Sequence, residues 1–191
     1  MHDTIYCYPG TDVLINKLGI RDQDQLDAAE RDLTAFRLIS LRDHPIHGKF
    51  DYKHLKAIHK YIFQDIYSWA GKERKVDIAK GNMFCNVMFL PQQANRIFSE
   101  LTNENYLEDL PKDKFIERLA YYFGEINALH PFREGNGRTQ REFFRELSMH
   151  MGYVMDFSMI SQEDMLEASK DSFMLQYDKL EKILRSTLIN L

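Results

Sequence analysis

Twelve consecutive residues, His130 to Arg141 (HPFREGNGRTQR), place an imidazole, a carboxylate, a Gly-Asn-Gly turn and two key arginines in one run. These groups suit phosphate chemistry. Glycines at 135 and 137 lack a Cβ, so the backbone can take positive φ and approach a phosphate closely. Successive N–H groups in such a turn converge on an anion, and a following helix start adds its positive dipole end. Arg138 and Arg141 stand three apart, on one face of the first helical turn, where forked guanidiniums can grip phosphate oxygens. Glu134 is a hard oxygen ligand suited to magnesium, which takes one or two carboxylates plus substrate phosphates. His130 titrates nearest neutrality and is the expected general base. Phe132 is expected to be a buried peg anchoring the loop.

The elements around the run must present it. Phe115, Ile116, Leu119, Tyr122, Phe123, Ile126 and Leu129 recur at the spacing of an amphipathic helix before it. Phe143, Phe144, Leu147 and Met151 repeat that spacing after it, with Gly152 as a stop. The run therefore reads as helix, tight turn, helix. Taken singly, a His before Pro is a helix terminus, a Gly-x-Gly is a turn and spaced arginines are a solvated face. Their concentration at one helix entrance favours a phosphate site.

The run resembles the Fic-domain signature His-x-Phe-x-Asp/Glu-Gly-Asn-Gly-Arg-x-x-Arg at every defined position. Tyr67, Trp69, Ala70, Gly71 and Arg74 are similar to the Trp-Ala-Gly-x-x-Arg segment of bacterial Fic proteins, and residues 74–90 resemble the hairpin flap that follows it. Tyr8, Pro9, Gly10, Leu18, Gly19 and Ile20 resemble the opening of stand-alone Fic toxins and effector Fic domains. The likeness spans essentially residues 1–191 and implies an all-α single Fic-type domain with one β-hairpin flap.

The resemblance implies a protein adenylyltransferase that moves AMP from ATP to a Ser, Thr or Tyr hydroxyl of a target protein. His130 would deprotonate the hydroxyl, and Glu134 would hold Mg2+. The backbone of Gly135, Asn136 and Gly137 would line the anion hole, and Arg138 and Arg141 would neutralise the β- and γ-phosphates. Such chemistry rests on positioning and charge neutralisation. Doc-type relatives that phosphorylate instead carry Lys where this chain has Gly137, so AMP transfer is favoured. Other relatives transfer UMP or phosphocholine, and a nucleotide- or partner-binding module without turnover stays as the alternative.

Fic proteins are commonly silenced by a helix bearing Ser/Thr-x-x-x-Glu-Gly/Asn. No Ser or Thr here has Glu four residues on; Glu104-Asn105 has the ending, but position 100 is Glu. The resemblance thus points to a toxin of the class held inactive by a small separate antitoxin. DNA gyrase and topoisomerase IV are the first targets that analogy offers.

The flap has its own reading. Val76, Asp77, Ile78, Lys80, Gly81, Asn82 and Phe84 belong to an alternating stretch around Gly81-Asn82, a two-residue hairpin-loop signal. A hairpin alone in a helical protein leaves an open edge, which either caps the core or accepts an extended target segment by strand addition. The resemblance favours target docking.

Helical periodicity fills the rest. Helices are expected over Asp24–Leu41 with Leu26, Leu33, Phe36 and Ile39 inward, over Asp51–Trp69, over Pro91–Leu101 and over Tyr177–Leu188. Ser161 with Asp164 resembles a capping box opening a helix that buries Met165, Leu166 and Phe173. A net charge of −4 argues against broad nucleic-acid or anionic-membrane binding. No long apolar run or secretory signal is evident, and two cysteines make no disulfide framework, so a bacterial cytoplasm is the expected compartment unless a larger effector carries the domain into a host. His54 and His59 are five apart, poor ligand spacing on a helix.

Overall fold

A computed structural model describes residues 3–190. Among the described residues seven α-helices form the body: α1 (Gln23–Asp43), α2 (Tyr52–Phe63), α3 (Leu90–Asn103), α4 (Lys112–Leu129), α5 (Asn136–His150), α6 (Gln162–Phe173) and α7 (Asp178–Thr187). The core runs between α2, α4 and α5, where Ile58, Ile62, Phe63, Phe115, Leu119, Phe143, Phe144 and Leu147 are buried. Starts and stops follow local chemistry. The Asp22, Asp51 and Ser161 side chains cap α1, α2 and α6, each accepting a bond from a backbone N–H three residues on. Pro91 sits in the first turn of α3, where its missing N–H costs no helical bond.

The hairpin is shorter than the alternating pattern implies. β1 (Ala79–Lys80) pairs with β2 (Asn82–Met83), Ala79 opposite Met83 and Lys80 opposite Asn82. Asn82 is therefore a strand residue, and Gly81 alone makes the reversal. It does so at φ +83°, a conformation glycine enters without penalty. The Phe84 N–H donates to Ile78 O at 3.1 Å, continuing the closure toward the flap's base. A second short pairing was not legible in the sequence. β3 (Tyr153–Met155) lies antiparallel to β4 (Leu188–Asn190), joining segments that α6 and α7 separate, so it forms no hairpin.

Three expectations about helices are corrected. Phe36 and Ile39 on α1 face solvent, 65% and 61% exposed, because the inward stripe is Leu26, Glu30, Thr34, Arg37 and Leu41. That stripe has helical spacing and a partly polar composition. α2 ends at Phe63 rather than Trp69; the N–H groups of Ile66 and Tyr67 both bond Phe63 O, and the chain turns away. Leu166 on α6 is exposed, and α6 seats Ala168 and Ser172 in the core instead.

Candidate active site

The last turn of α4 delivers the imidazole. His130 caps that helix in the left-handed region, φ 45° and ψ 59°, with its N–H on Ile126 O. Its Nδ1 lies 3.3 Å from Asn127 O. Donation there places the ring proton on Nδ1 and leaves the Nε2 lone pair free. Burial pushes the His130 pKa down to about 3, the Lys80 charge adds to the shift, and the Asn127 carbonyl opposes it. The ring is thus neutral at physiological pH, as a general base must be.

The loop that follows is held from inside. Phe132 is buried and stacks on His59, centroids 3.8 Å apart. The Asn136 side chain holds the loop closed beneath the turn. Its Oδ1 accepts from Phe132 N at 2.9 Å and its Nδ2 donates to Phe132 O at 2.8 Å, so the side chain staples the loop. Within the Gly-Asn-Gly turn, Gly135 and Gly137 line the cavity and Asn136 does not. Gly135 has φ +82°, and a Cβ there would land inside the Phe63 ring. His59 completes the support: its Nε2 lies 3.0 Å from Glu134 O, and its Nδ1 accepts from Gly71 N at 2.8 Å. His59 and His54 therefore have separate surroundings, since His54 Nε2 lies 3.0 Å from Glu146.

Around the turn the charges are unevenly partnered. Glu134 Oε1 accepts from Gly135 N at 2.8 Å and lies 3.7 Å from the Arg138 guanidinium. Arg138 also bonds Glu30 and, at 3.2 Å, the Thr34 hydroxyl, both on α1. Arg141 has no carboxylate or hydrogen-bond partner among the described residues; burial and the nearby Arg138 charge both lower its pKa. A desolvated, unpaired guanidinium is costly, and a ligand anion would satisfy it.

Arg74 ties the flap to this centre. Its side chain is fully buried and donates to the carbonyls of His130 (2.8 Å), Val76 (2.8 Å) and Cys85, while its own N–H bonds Pro131 O at 2.8 Å. Asp77 supports the same base, accepting from Val87 N at 2.8 Å and Asn86 Nδ2 at 2.9 Å. Phe84, at the end of the flap, stacks on the His130 ring. In the sequence Arg74 stands out only as the last residue of the Trp-Ala-Gly-x-x-Arg likeness; its role comes from contacts with segments far along the chain.

One cavity of roughly 600 Å³ gathers the chemistry. His130, Glu134, Gly135, Gly137, Arg138 and Arg141 line it, with Lys80 and Phe84 from the flap. Val76, Asp77, Ile78, Gly81 and Asn82 lie outside its lining. The opposite wall is α6 and the loop before it, chiefly Phe157, Ile160, Met165, Lys170 and Phe173. Periodicity assigned Met165 and Phe173 to the core; they are half-buried and face this space. The described residues hold no cluster of three His, Cys, Asp or Glu that could by itself bind a metal. A lone carboxylate beside a phosphate-sized turn does fit an ion held jointly by protein and substrate, which is how magnesium binds.

The chain resembles known proteins in both sequence and fold. Residues 49–148 match the Fic/DOC family. The chain is 42% identical over 184 residues to the protein adenylyltransferase VbhT of Bartonella schoenbuchensis, covering 96% of this chain and 38% of that protein. It is 40% identical over 179 residues to an Escherichia coli K12 protein named Probable protein adenylyltransferase Fic, covering 93% and 88%. Among solved structures, the N-terminal Fic domain of a Bartonella quintana effector with bound ADP superposes with a TM-score of 0.93 at 28% identity, covering 100% and 97%. BepC of Bartonella tribocorum with bound AMPPNP gives 0.91 at 25%, covering 98% and 97%. Fic domains and Fic adenylyltransferases are the class that these relatives and neighbours define. The chain belongs to the Fic/DOC family. It spans about two fifths of VbhT and most of the E. coli relative.

Proposed function

We propose that the chain is a protein adenylyltransferase, transferring AMP from ATP to a hydroxyl of a target protein. One observation carries this reading: a neutral imidazole with a free Nε2 shares a cavity with an open glycine turn and an unpartnered guanidinium, Arg141. His130 Nε2 takes the proton of the target hydroxyl, whose oxygen forms a bond to the α-phosphorus as the bond to pyrophosphate breaks. The turn at Gly135 and Gly137 cradles the phosphates, and Arg138 and Arg141 offset the charge of the leaving group. Glu134 would hold Mg2+, which when bound offsets phosphate charge. Relatives named adenylyltransferases and neighbours holding AMPPNP and ADP support the substrate class.

The finer reading is a cytoplasmic bacterial toxin whose inhibitory helix comes from a separate antitoxin, with the ATPase subunits of DNA gyrase and topoisomerase IV as first targets. Lys80, Gly81, Asn82 and the flap backbone are proposed to dock the target segment by strand addition. No helix among the described residues is long and apolar enough to cross a membrane.

The test is incubation with magnesium, lysate and ATP labelled at the α- or γ-phosphate, beside His130→Ala. Label from the α-position on protein, lost in the variant, is expected. Transfer of the γ-label alone would replace the reading with a kinase, and ATP binding without transfer of either would replace it with a binding module. Growth arrest on expression, relieved by a small co-expressed protein carrying the missing Ser/Thr-x-x-x-Glu helix, is the expected mark of the toxin role.

A further inference from the structure

The two arginines of the phosphate run differ in their attachments. Arg138 is held on several sides: its Nη2 bonds Glu30, its Nη1 donates to Thr34 Oγ1 at 3.2 Å, and its guanidinium carbon sits 4.8 Å from the Phe63 ring centre. Glu30 is itself fixed, because the buried Tyr67 hydroxyl donates to its other carboxylate oxygen. Thr34 and Tyr67 are almost wholly inaccessible to solvent, so this is not a surface ion pair. Arg141, one helical turn on, has no comparable partner.

From this geometry we infer that Glu30, braced by Tyr67, is a positioning residue that fixes the Arg138 guanidinium at the cavity wall and leaves Arg141 as the unclamped phosphate grip. Two physical effects lead to it. Two guanidiniums crowded at one partly desolvated wall repel each other, and a carboxylate on the far side of one offsets that repulsion. Fixing the planar fork in advance also removes the entropy that ordering it at the moment of reaction would cost. Glu30 brings a negative charge near an anionic substrate, so its contribution should lie in orientation and turnover, not in ground-state affinity.

The kinetic consequence rests on the adenylyltransferase reading; the clamp itself does not, and the experiment separates them. Guanidinium 15N spectra are recorded for the wild-type chain and Glu30→Gln, with Arg138→Lys providing the assignment. A clamped Arg138 gives two distinct Nη signals in the wild type that merge in Glu30→Gln. Signals already merged in the wild type, or still distinct in the variant, overturn the clamp whether or not the chain turns over. In the transfer assay, Glu30→Gln lowers kcat by roughly tenfold without raising the KM for ATP, and adds no further loss to Arg138→Ala. An unchanged kcat, an equal loss of ATP affinity, or additive losses in the double variant overturn the positioning role. A wild-type chain that binds ATP but transfers nothing defeats the functional reading, and the spectra then decide the clamp alone.

Discussion

The imidazole of His130 lies face to face with the phenyl ring of Phe84, centroids 3.7 Å apart and planes 13° from parallel. The flap thus supplies one wall of the pocket around the His130 ring. Phe84 helps exclude the water that would stabilise an imidazolium, and the low pKa of His130 follows chiefly from that exclusion. The wild-type kcat/KM profile is therefore expected to lack an acid limb near pH 6.5. Phe84→Ala should bring such a limb in, by letting solvent reach the ring, and lower the rate at pH 7 by loosening the ring's orientation. A wild-type limb at pH 6.5 with the fold intact would show that the stack does not set the protonation state.

Stability should carry the same signature. His130 and His59 both have folded pKa values of about 3, each lowered mainly by burial, against an ordinary value of 6.5. Above pH 6.5 folded and unfolded chains are both neutral at these rings, and neither ring adds a pH dependence. As pH falls below 6.5 the unfolded chain takes up protons the folded one refuses, so stability declines toward pH 3. His130→Ala removes one of these sites. Between pH 7.5 and pH 5 it should lose less stability than the wild type, by on the order of 1–2 kcal/mol, in urea unfolding at the two pH values. Parallel losses would contradict the assignment.

How much of this a sequence can show depends on where the groups lie along the chain. His130, Glu134, Gly135, Gly137, Arg138 and Arg141 fall within twelve residues, so their types and spacing were readable, and one cavity collects all six. Glu30 and Thr34 lie about a hundred residues upstream, on a helix whose inward stripe is partly polar, so apolar periodicity pointed to Phe36 and Ile39 instead. A search of α1 for polar residues at helical spacing would have found them. Met165 and Phe173 have the periodicity of core residues, and only the tertiary arrangement reveals that α6 presents them to the cavity. The β3–β4 pairing joins segments more than thirty residues apart, beyond what local alternation can reveal.

The two glycines of the turn should fail differently when given a methyl group. At Gly135 a Cβ meets the Phe63 ring and the backbone sits at φ +82°, so Gly135→Ala combines overpacking with a left-handed alanine. A loss of at least about 2 kcal/mol in unfolding free energy is expected. At Gly137 the added carbon meets only the Arg141 Nη1, at 3.4 Å, and the residue lies in the first turn of α5. Gly137→Ala should leave stability level or raise it by up to about 1 kcal/mol, yet weaken ATP binding by placing a methyl group in the turn that lines the cavity. Equal destabilisation by both substitutions would sink this distinction.

Arg141 offers the sharpest separation of stability from binding. Folding carries its guanidinium into a partly desolvated wall beside Arg138 and gives it no anion in return, so the residue is a net cost to the empty fold. Arg141→Ala should therefore unfold at the same denaturant concentration as the wild type or a higher one. Binding should move the other way. A triphosphate supplies the missing partner, and a charge-assisted pair in such a site contributes about 1.5–3 kcal/mol, so ATP affinity should fall by roughly ten- to a hundredfold. AMP, which lacks the outer phosphates, should be affected far less. Calorimetric titration with ATP and with AMP, alongside urea unfolding, reads all three quantities. A variant that loses stability and affinity together would mean that Arg141 holds the fold together, and that the phosphate grip must be sought elsewhere.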